Sequence, residues 1–245
     1  QPCSSAASDV YKRQQELSPE AHLDFAKKWG PINVNRFFTP VEGYPSIAEV
    51  RKEPHQQYNI GGNWHTDHSY DQIPALGSML YAKELPKVGG DTLFAGCAAA
   101  FDTLSEGMKS TLRSLRAVHS SRHVFGKSAA IPDDMADLFG NADKALQDAE
   151  HPVVIKHPLS GRETLYVNPG FTTRFVGWTE KESNSLLSFL YEHISRPEHT
   201  YRFQWSKGAL AFWDNRATWH LAVNDYPGET RLMHRITIEG EPLEP

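Results

Sequence analysis

The chain has 245 residues, of which 39% are hydrophobic, with a formal net charge of -5 and two cysteines, Cys3 and Cys97. That length can bury a substantial core as one domain. The acidic balance without a basic cluster argues against a nucleic-acid surface, and no apolar run is long enough to span a bilayer. So few cysteines exclude a disulfide framework and fit a reducing, cytoplasmic compartment.

Residues 1–15 open as Q-P-C-S-S-A-A-S-D-V-Y-K-R-Q. They carry neither a signal-peptide layout nor a strand or helix period, so a non-native or disordered leader is expected there, with a single domain over 16–245. Ser18-Pro19-Glu20 caps and starts a helix expected over 19–29, stopped by Gly30. A strand is expected over Leu76–Leu85, followed by Pro86 and the Gly89-Gly90 turn that delivers Thr92. Two short helices fit 97–104 and 106–115, and 117–123 reads as extended. The stretch from Gly126 to Glu150 has little strand character and is expected to be a lid-like excursion with short helical pieces. Val153–Lys156 and Glu163–Val167 predict a hairpin around Ser160-Gly161. Thr179-x-x-Glu182 is a capping box, and Leu186, Leu187, Leu190 and Ile194 then recur at helical spacing as a core stripe. Strands follow at about 200–205, 209–213, 218–223 and 231–238. The whole suits a mainly β architecture with flanking helices.

Two segments carry the chemistry. In N-W-H-T-D at 63–67, an extended backbone would send His65 and Asp67 off one face toward one ion. Far downstream, W-D-N-R-A-T-W-H at 213–220 supplies His220. Two histidines and one carboxylate form the facial ligand set of non-haem Fe(II) oxygenases. A lone His-x-Asp is weak evidence in a chain with 12 His and 30 acidic residues. In R-L-M-H-R-I-T-I at 231–238, Arg231, Met233 and Arg235 share one strand face, while Leu232, His234, Ile236 and Ile238 share the other, suited to packing against an outer layer. Two arginines beside a metal set call for anionic ligands.

With these motifs, together with A-K-E-L-P at 82–86, G-G-D-T at 89–92, V-N-P-G-F-T-T-R at 167–174 and M-H-R at 233–235, the chain resembles the taurine dioxygenase family of Fe(II)- and 2-oxoglutarate-dependent oxygenases. The resemblance runs from about Glu16 to about Glu239. It implies a double-stranded β-helix, or cupin-like jelly roll, with the metal at the barrel mouth. It also implies His65, Asp67 and His220 as iron ligands, Thr92 and Arg231 as holders of the distal carboxylate of 2-oxoglutarate, and O2 as co-substrate. Arg235 falls where the family grips a sulfonate, and Phe171 at an aromatic pocket position. Asn35 stands in the segment where the family has a substrate-binding histidine, and Gly61 or Gly62 near its asparagine, which puts taurine itself in doubt. The expected activity is hydroxylation of a small anionic organic compound, of the alkylsulfonate, sulfate ester or aryloxy acid type, with release of succinate and CO2. Family members begin with strands ahead of the point matching Glu16, so a domain lacking them, with an exposed sheet edge that favours homo-oligomers, is expected. Other readings of the same ligands are a non-catalytic metal-binding jelly roll, an inactive fragment, or a zinc hydrolase with a metal-bound water.

Overall fold

The computed structural model describes residues 16–127, 129, 132 and 141–245; the expected leader and most of the expected lid segment lie outside these residues. In chain order the elements are α1 (Pro19–Lys27), β1 (Ile32–Asn33), β2 (Pro40–Val41), β3 (Tyr44–Lys52), β4 (Gly77–Glu84), β5 (Thr92–Gly96), α2 (Cys97–Asp102), α3 (Glu106–Arg113) and β6 (Arg116–Ser120). They continue as α4 (Arg122–Phe125), β7 (Asp148–Pro152), β8 (Val154–Lys156), β9 (Glu163–Leu165), β10 (Thr172–Phe175), α5 (Glu180–Ile194), β11 (Thr200–Phe203), β12 (Leu210–Asp214), β13 (Thr218–Ala222) and β14 (Arg231–Ile238).

The local signals act where the residues place them. The Ser18 hydroxyl accepts from the Ala21 N–H to open α1, and Ser105 caps α3 through Met108. Both halves of the capping box form at α5 between Thr179 and Glu182, a cap that contributes about 1 kcal/mol. Leu187, Leu190 and Ile194 of the expected stripe are buried, with Leu186 packed at its margin. The β8–β9 hairpin pairs Val154 with Leu165 and Lys156 with Glu163.

Two sheets face one another. The larger runs β12-β4-β14-β3-β2, with β1 also pairing β14, and the smaller runs β11-β5-β13. Their inner faces share one apolar cluster, in which Val50, Leu80, Ala82, Trp213 and Met233 of the larger sheet meet Phe94 and Phe203 of the smaller. On the far side of the larger sheet, Ile236 and Ile238 pack with Met79, Phe212 and Ala26 of α1. The two faces of β14 thus divide as its alternation requires: Met233 goes inward and the isoleucines go outward under the helix. Helices α2, α3 and α5 close the other side, packing Phe101, Leu112 and Leu190 with Trp219 of β13. The result is the mainly β, double-stranded β-helix architecture expected from the sequence.

Several elements depart from the sequence reading, the short strands β1, β2 and β10 among them. The extended stretch expected over 117–123 ends at Ser120, and α4 follows, because the Ser121 carbonyl accepts from both Val124 and Phe125 N–H. That turn delivers Phe125 into a cluster with Phe37, Phe38, Tyr70 and Phe171, so burial of an aromatic ring overrides the local pattern. The end of the expected excursion is strand β7, fully paired with β6 from Ser120↔Asp148 to Arg116↔Pro152. Strand β3 pairs β14 from Ala48↔Arg235 to Lys52↔Arg231, and so lies directly beside the two arginines.

Candidate metal centre and its cavity

His65 and His220 are joined backbone to backbone: His65 N–H donates to the His220 carbonyl at 3.1 Å and His220 N–H to the His65 carbonyl at 2.8 Å. The strand expected over 63–67 reduces to this single bridge, because the chain turns straight after Asp67 with His68 in the left-handed region at φ 58°. A non-glycine residue held there is strained, and such strain clusters at functional sites. The side chains still converge. His65 Nε2 lies 3.8 Å from Asp67 Oδ1, His220 Nε2 lies 3.8 Å from Asp67 Oδ2, and one ligand atom from each of the three falls within 4.8 Å of the others.

The protonation states suit a cation. His65 Nδ1 lies 2.8 Å from the Asn63 carbonyl, which can only accept, so Nδ1 carries the proton and Nε2 presents its lone pair to the cluster. Burial lowers the pKa of His65 and pushes that of His220 well below its ordinary value, keeping both imidazoles neutral. Burial opposes ionisation of Asp67, yet its carboxyl is held well below the usual range, with the Arg235 guanidinium the strongest opposing influence. The cluster therefore offers two neutral nitrogens and a carboxylate, a donor set that suits a divalent ion of the iron type. Glycines make room for it: a Cβ on Gly170 would stand 2.7 Å from the His65 Cβ, and one on Gly61, which has φ +76°, would stand 3.1 Å from the ring.

Arg235 is 7% exposed and donates from Nη1 to Asp67 Oδ1 at 3.2 Å, with its guanidinium 4.7 Å from the Phe38 ring centre. Its Nε is buried without a partner. Arg231 is deeper still at 3% exposed; its Nε donates to the Gly90 carbonyl at 3.0 Å, and its Nη2 is buried and unpaired. Thr92 sits nearby, joined to Arg231 by a common neighbour: the Trp205 indole N–H donates to Thr92 Oγ1 at 2.9 Å, and the Arg231 guanidinium lies 5.9 Å from the Trp205 ring centre. Because that oxygen already accepts, the Thr92 hydroxyl proton can point elsewhere. Thr92 and Phe94 alternate on one face of β5, about 6.6 Å apart along the strand. Phe94 pairs with His220 and Thr92 with Ala222.

A cavity of about 850 Å³ opens on this cluster, with His65, Asp67, Arg235, Phe171, Phe38, Tyr70, Phe125 and Ile60 in its walls. Phe171 lies 6.3 Å from the His65 ring and 4.8 Å from the Tyr70 ring between ring centres. Asn35 is not among the described lining residues. Its Oδ1 instead accepts from the N–H groups of Phe37 and Phe38, at 2.8 and 3.0 Å, and so shapes the turn that presents Phe38. The cause of this placement is local: an asparagine before a turn satisfies the backbone two residues on. Thr92, Arg231 and His220 are also outside the described lining.

The sequence reading missed Ser78, Asn215, Tyr70 and Trp205. Only Asn215 had a signal, as part of W-D-N-R. The other charged members of that motif are structural: Arg216 binds both oxygens of Asp214 at 2.9 and 2.6 Å, and His157 reaches the same carboxylate at 3.0 Å.

Comparison with known proteins agrees with this geometry. The family model of the taurine catabolism dioxygenases TauD and TfdA matches residues 12–237. An alkylsulfatase of Acinetobacter baylyi is 34% identical over 94% of this chain and 72% of its own length. An alpha-ketoglutarate-dependent sulfate ester dioxygenase of Pseudomonas putida is 33% identical over 94% of this chain and 76% of its own. The crystal structure of a taurine dioxygenase from Burkholderia xenovorans superposes with a TM-score of 0.78 at 34% identity, covering 95% of this chain and 77% of that one. With a His-Asp-His cluster that opens on a cavity and a family match over nearly its whole length, the chain belongs to the TauD/TfdA family of dioxygenases.

Proposed function

We propose that this chain is an Fe(II)- and 2-oxoglutarate-dependent dioxygenase whose substrate is an organic sulfate ester or sulfonate with an apolar alkyl or aryl tail. The observation that carries this reading is the cavity above the metal cluster. Among its described lining residues, Arg235 is the one arginine or lysine and Asp67 the one carboxylate, while most of the remaining wall is aromatic or aliphatic. One fixed cation suits a singly charged anionic head, and the walls suit hydrocarbon. A substrate ending in an ammonium, as taurine does, would find among the described lining residues no carboxylate other than the one in the metal cluster.

His65, Asp67 and His220 are the residues that would hold Fe(II), which supplies the activation of O2 that is coupled to decarboxylation of 2-oxoglutarate to succinate and CO2. Arg231 and Thr92 offer the far carboxylate of 2-oxoglutarate a guanidinium Nη2 and a hydroxyl, both in a dry environment where an unpaired charge is costly. Arg235 orients the sulfated end so that the carbon bearing the sulfur group faces the cluster, and Phe38, Phe125 and Phe171 exclude water from it. Hydroxylation at that carbon gives a product that collapses to an aldehyde and releases sulfate or sulfite. A hydrolase built on the same ligands would leave the Arg231 Nη2 and the Thr92 proton without an acceptor.

Anaerobic addition of Fe(II) and 2-oxoglutarate is expected to give a weak visible charge-transfer band. Succinate release is then expected to be faster with medium-chain alkyl sulfates than with taurine. No band in the folded protein would end the oxygenase reading, and preference for taurine would end the substrate assignment. Arg235→Gln is expected to lower kcat/KM for an alkyl sulfate about 10- to 100-fold, the loss of one or two charge-assisted hydrogen bonds. Affinity for 2-oxoglutarate, read from titration of the band, is expected to stay within about threefold of wild type; an equal loss in both would remove Arg235 from the substrate.

A further inference from the structure

We propose that Trp213, Asn215 and Ser78 form a one-way hydrogen-bond relay that fixes the Asp67 carboxylate for metal binding, with Asn215 as the positioning residue at its hub. The proposal rests on Asp67 being a metal ligand. It concerns groups that touch neither metal nor substrate.

The direction of the relay follows from its first donor. An indole N–H can only donate, so the atom of Asn215 that faces Trp213 Nε1, at 2.9 Å, must be the amide oxygen. The amide nitrogen then faces Ser78 and donates to its Oγ at 3.1 Å. With its lone pair so engaged, the Ser78 hydroxyl turns its proton to Asp67 Oδ2, at 2.6 Å, the length of a charge-assisted hydrogen bond. Trp213, Asn215 and Ser78 are each 1% exposed or less, so water does not compete for any of these bonds. In such surroundings a chain of aligned donors polarises along its length.

Asn215 reaches the other ligands too. Its backbone carbonyl accepts from Thr66 Oγ1 at 2.6 Å, which pins the residue between His65 and Asp67, and its N–H donates to the Leu76 carbonyl at 2.9 Å. The Trp213 ring lies 4.6 Å from that of His220 between centres. One tripeptide of β12 and its turn therefore braces all three ligand residues, and β4 contributes the hydroxyl that makes the last contact. The hydrogen bond on Oδ2, together with the one that Arg235 Nη1 donates to Oδ1 at 3.2 Å, sets the rotation of the carboxylate. Hydrogen bonds of this kind to ligating carboxylates typically govern metal affinity by one to two orders of magnitude.

The test is Mn(II) binding to the whole chain, followed by loss of the free-ion electron paramagnetic resonance signal, with thermal unfolding of each variant measured alongside. Wild type is expected to bind, and His65→Ala to abolish binding. Ser78→Ala is expected to weaken binding about 10- to 100-fold. Ser78→Thr, which keeps the hydroxyl, is expected to stay within about threefold of wild type. Asn215→Ala cuts the relay one bond earlier and is expected to weaken binding about 10-fold, while Ser78→Ala with Asn215→Ala is no weaker than Ser78→Ala alone, since both act through one bond. If Ser78→Ala binds as wild type does, if Ser78→Thr is as weak as Ser78→Ala, or if the two losses multiply, the relay is overturned while the metal site stands. Absence of Mn(II) binding in wild type would instead overturn the metal site, and the relay with it.

Discussion

Asp67→Ala and His65→Ala are both expected to abolish the Fe(II)–2-oxoglutarate charge-transfer band and to reduce succinate release to background, but only Asp67→Ala is expected to destabilise the protein strongly. The difference comes from what each deletion leaves behind. Without the Asp67 carboxylate, the buried guanidinium of Arg235 loses its partner at 3.2 Å and the Ser78 hydroxyl loses its acceptor at 2.6 Å. Removing one member of a buried ion pair costs about 3–5 kcal/mol. At the size of this chain, that would lower the thermal midpoint by roughly 5–20 °C. His65→Ala leaves the Asp67–Arg235 pair and the hydrogen bond from Ser78 intact; it removes only a side chain that is partly exposed at the cavity wall. Calorimetry in the absence of metal, set beside the titration of the band, separates the two. Equal midpoints for the two variants would mean that Asp67 is not the carboxylate that keeps Arg235 in place.

The parts of the site that were legible in the sequence are those whose chemistry is written in residue type and short spacing. His65-x-Asp67, His220 and the Arg231/Arg235 parity on β14 needed only alternation, motif order and the charge of a dicarboxylate. Even there the reason was partly different. His65 and Asp67 meet because a single bridge to His220 is followed by a tight turn at His68, and strand geometry alone would not have placed them. Ser78 could not be found this way: it lies in an apolar strand, and its partner Asn215 is 137 residues away. The cavity walls were equally hidden, since Phe38, Tyr70 and Phe125 come from three segments that pair only after the sheets close. Strand β3 escaped because Pro45, Glu49, Arg51 and Lys52 dilute its alternation. Its pairing on both edges, with β14 and β2, supplies what its own sequence does not. Asn35 is the opposite case. Its type and neighbourhood suggested a ligand, but the nearest unsatisfied groups were the backbone N–H groups of its own turn.

Arg231→Met is expected to raise the Kd for 2-oxoglutarate at least about 100-fold while leaving the protein without ligand as stable as wild type, or more so. The guanidinium is buried, with Nη2 lacking any hydrogen bond, and burial lowers its pKa while Tyr226 and Asp91 only partly offset that penalty. A buried cation without a matched anion costs free energy, and a hydrophobic residue of similar volume commonly recovers it. The cost is recovered in the wild type when a carboxylate arrives, because a planar fork can hold it through two parallel hydrogen bonds that a lysine ammonium would not reproduce. Ligand-induced stabilisation therefore reads the role directly. At 2-oxoglutarate concentrations near 100 times Kd, wild type should gain about 2.7 kcal/mol of stability, and Arg231→Met almost none. Arg231→Lys should fall between them, keeping the charge but losing the fork. Binding of Mn(II) alone should be unchanged in both variants, since Arg231 donates to the Gly90 carbonyl and makes no hydrogen bond to the metal cluster. A wild-type midpoint that does not move with 2-oxoglutarate, or an Arg231→Met variant that shifts as far as wild type does, would show that the buried guanidinium is a structural cation and that the co-substrate's carboxylate is held elsewhere.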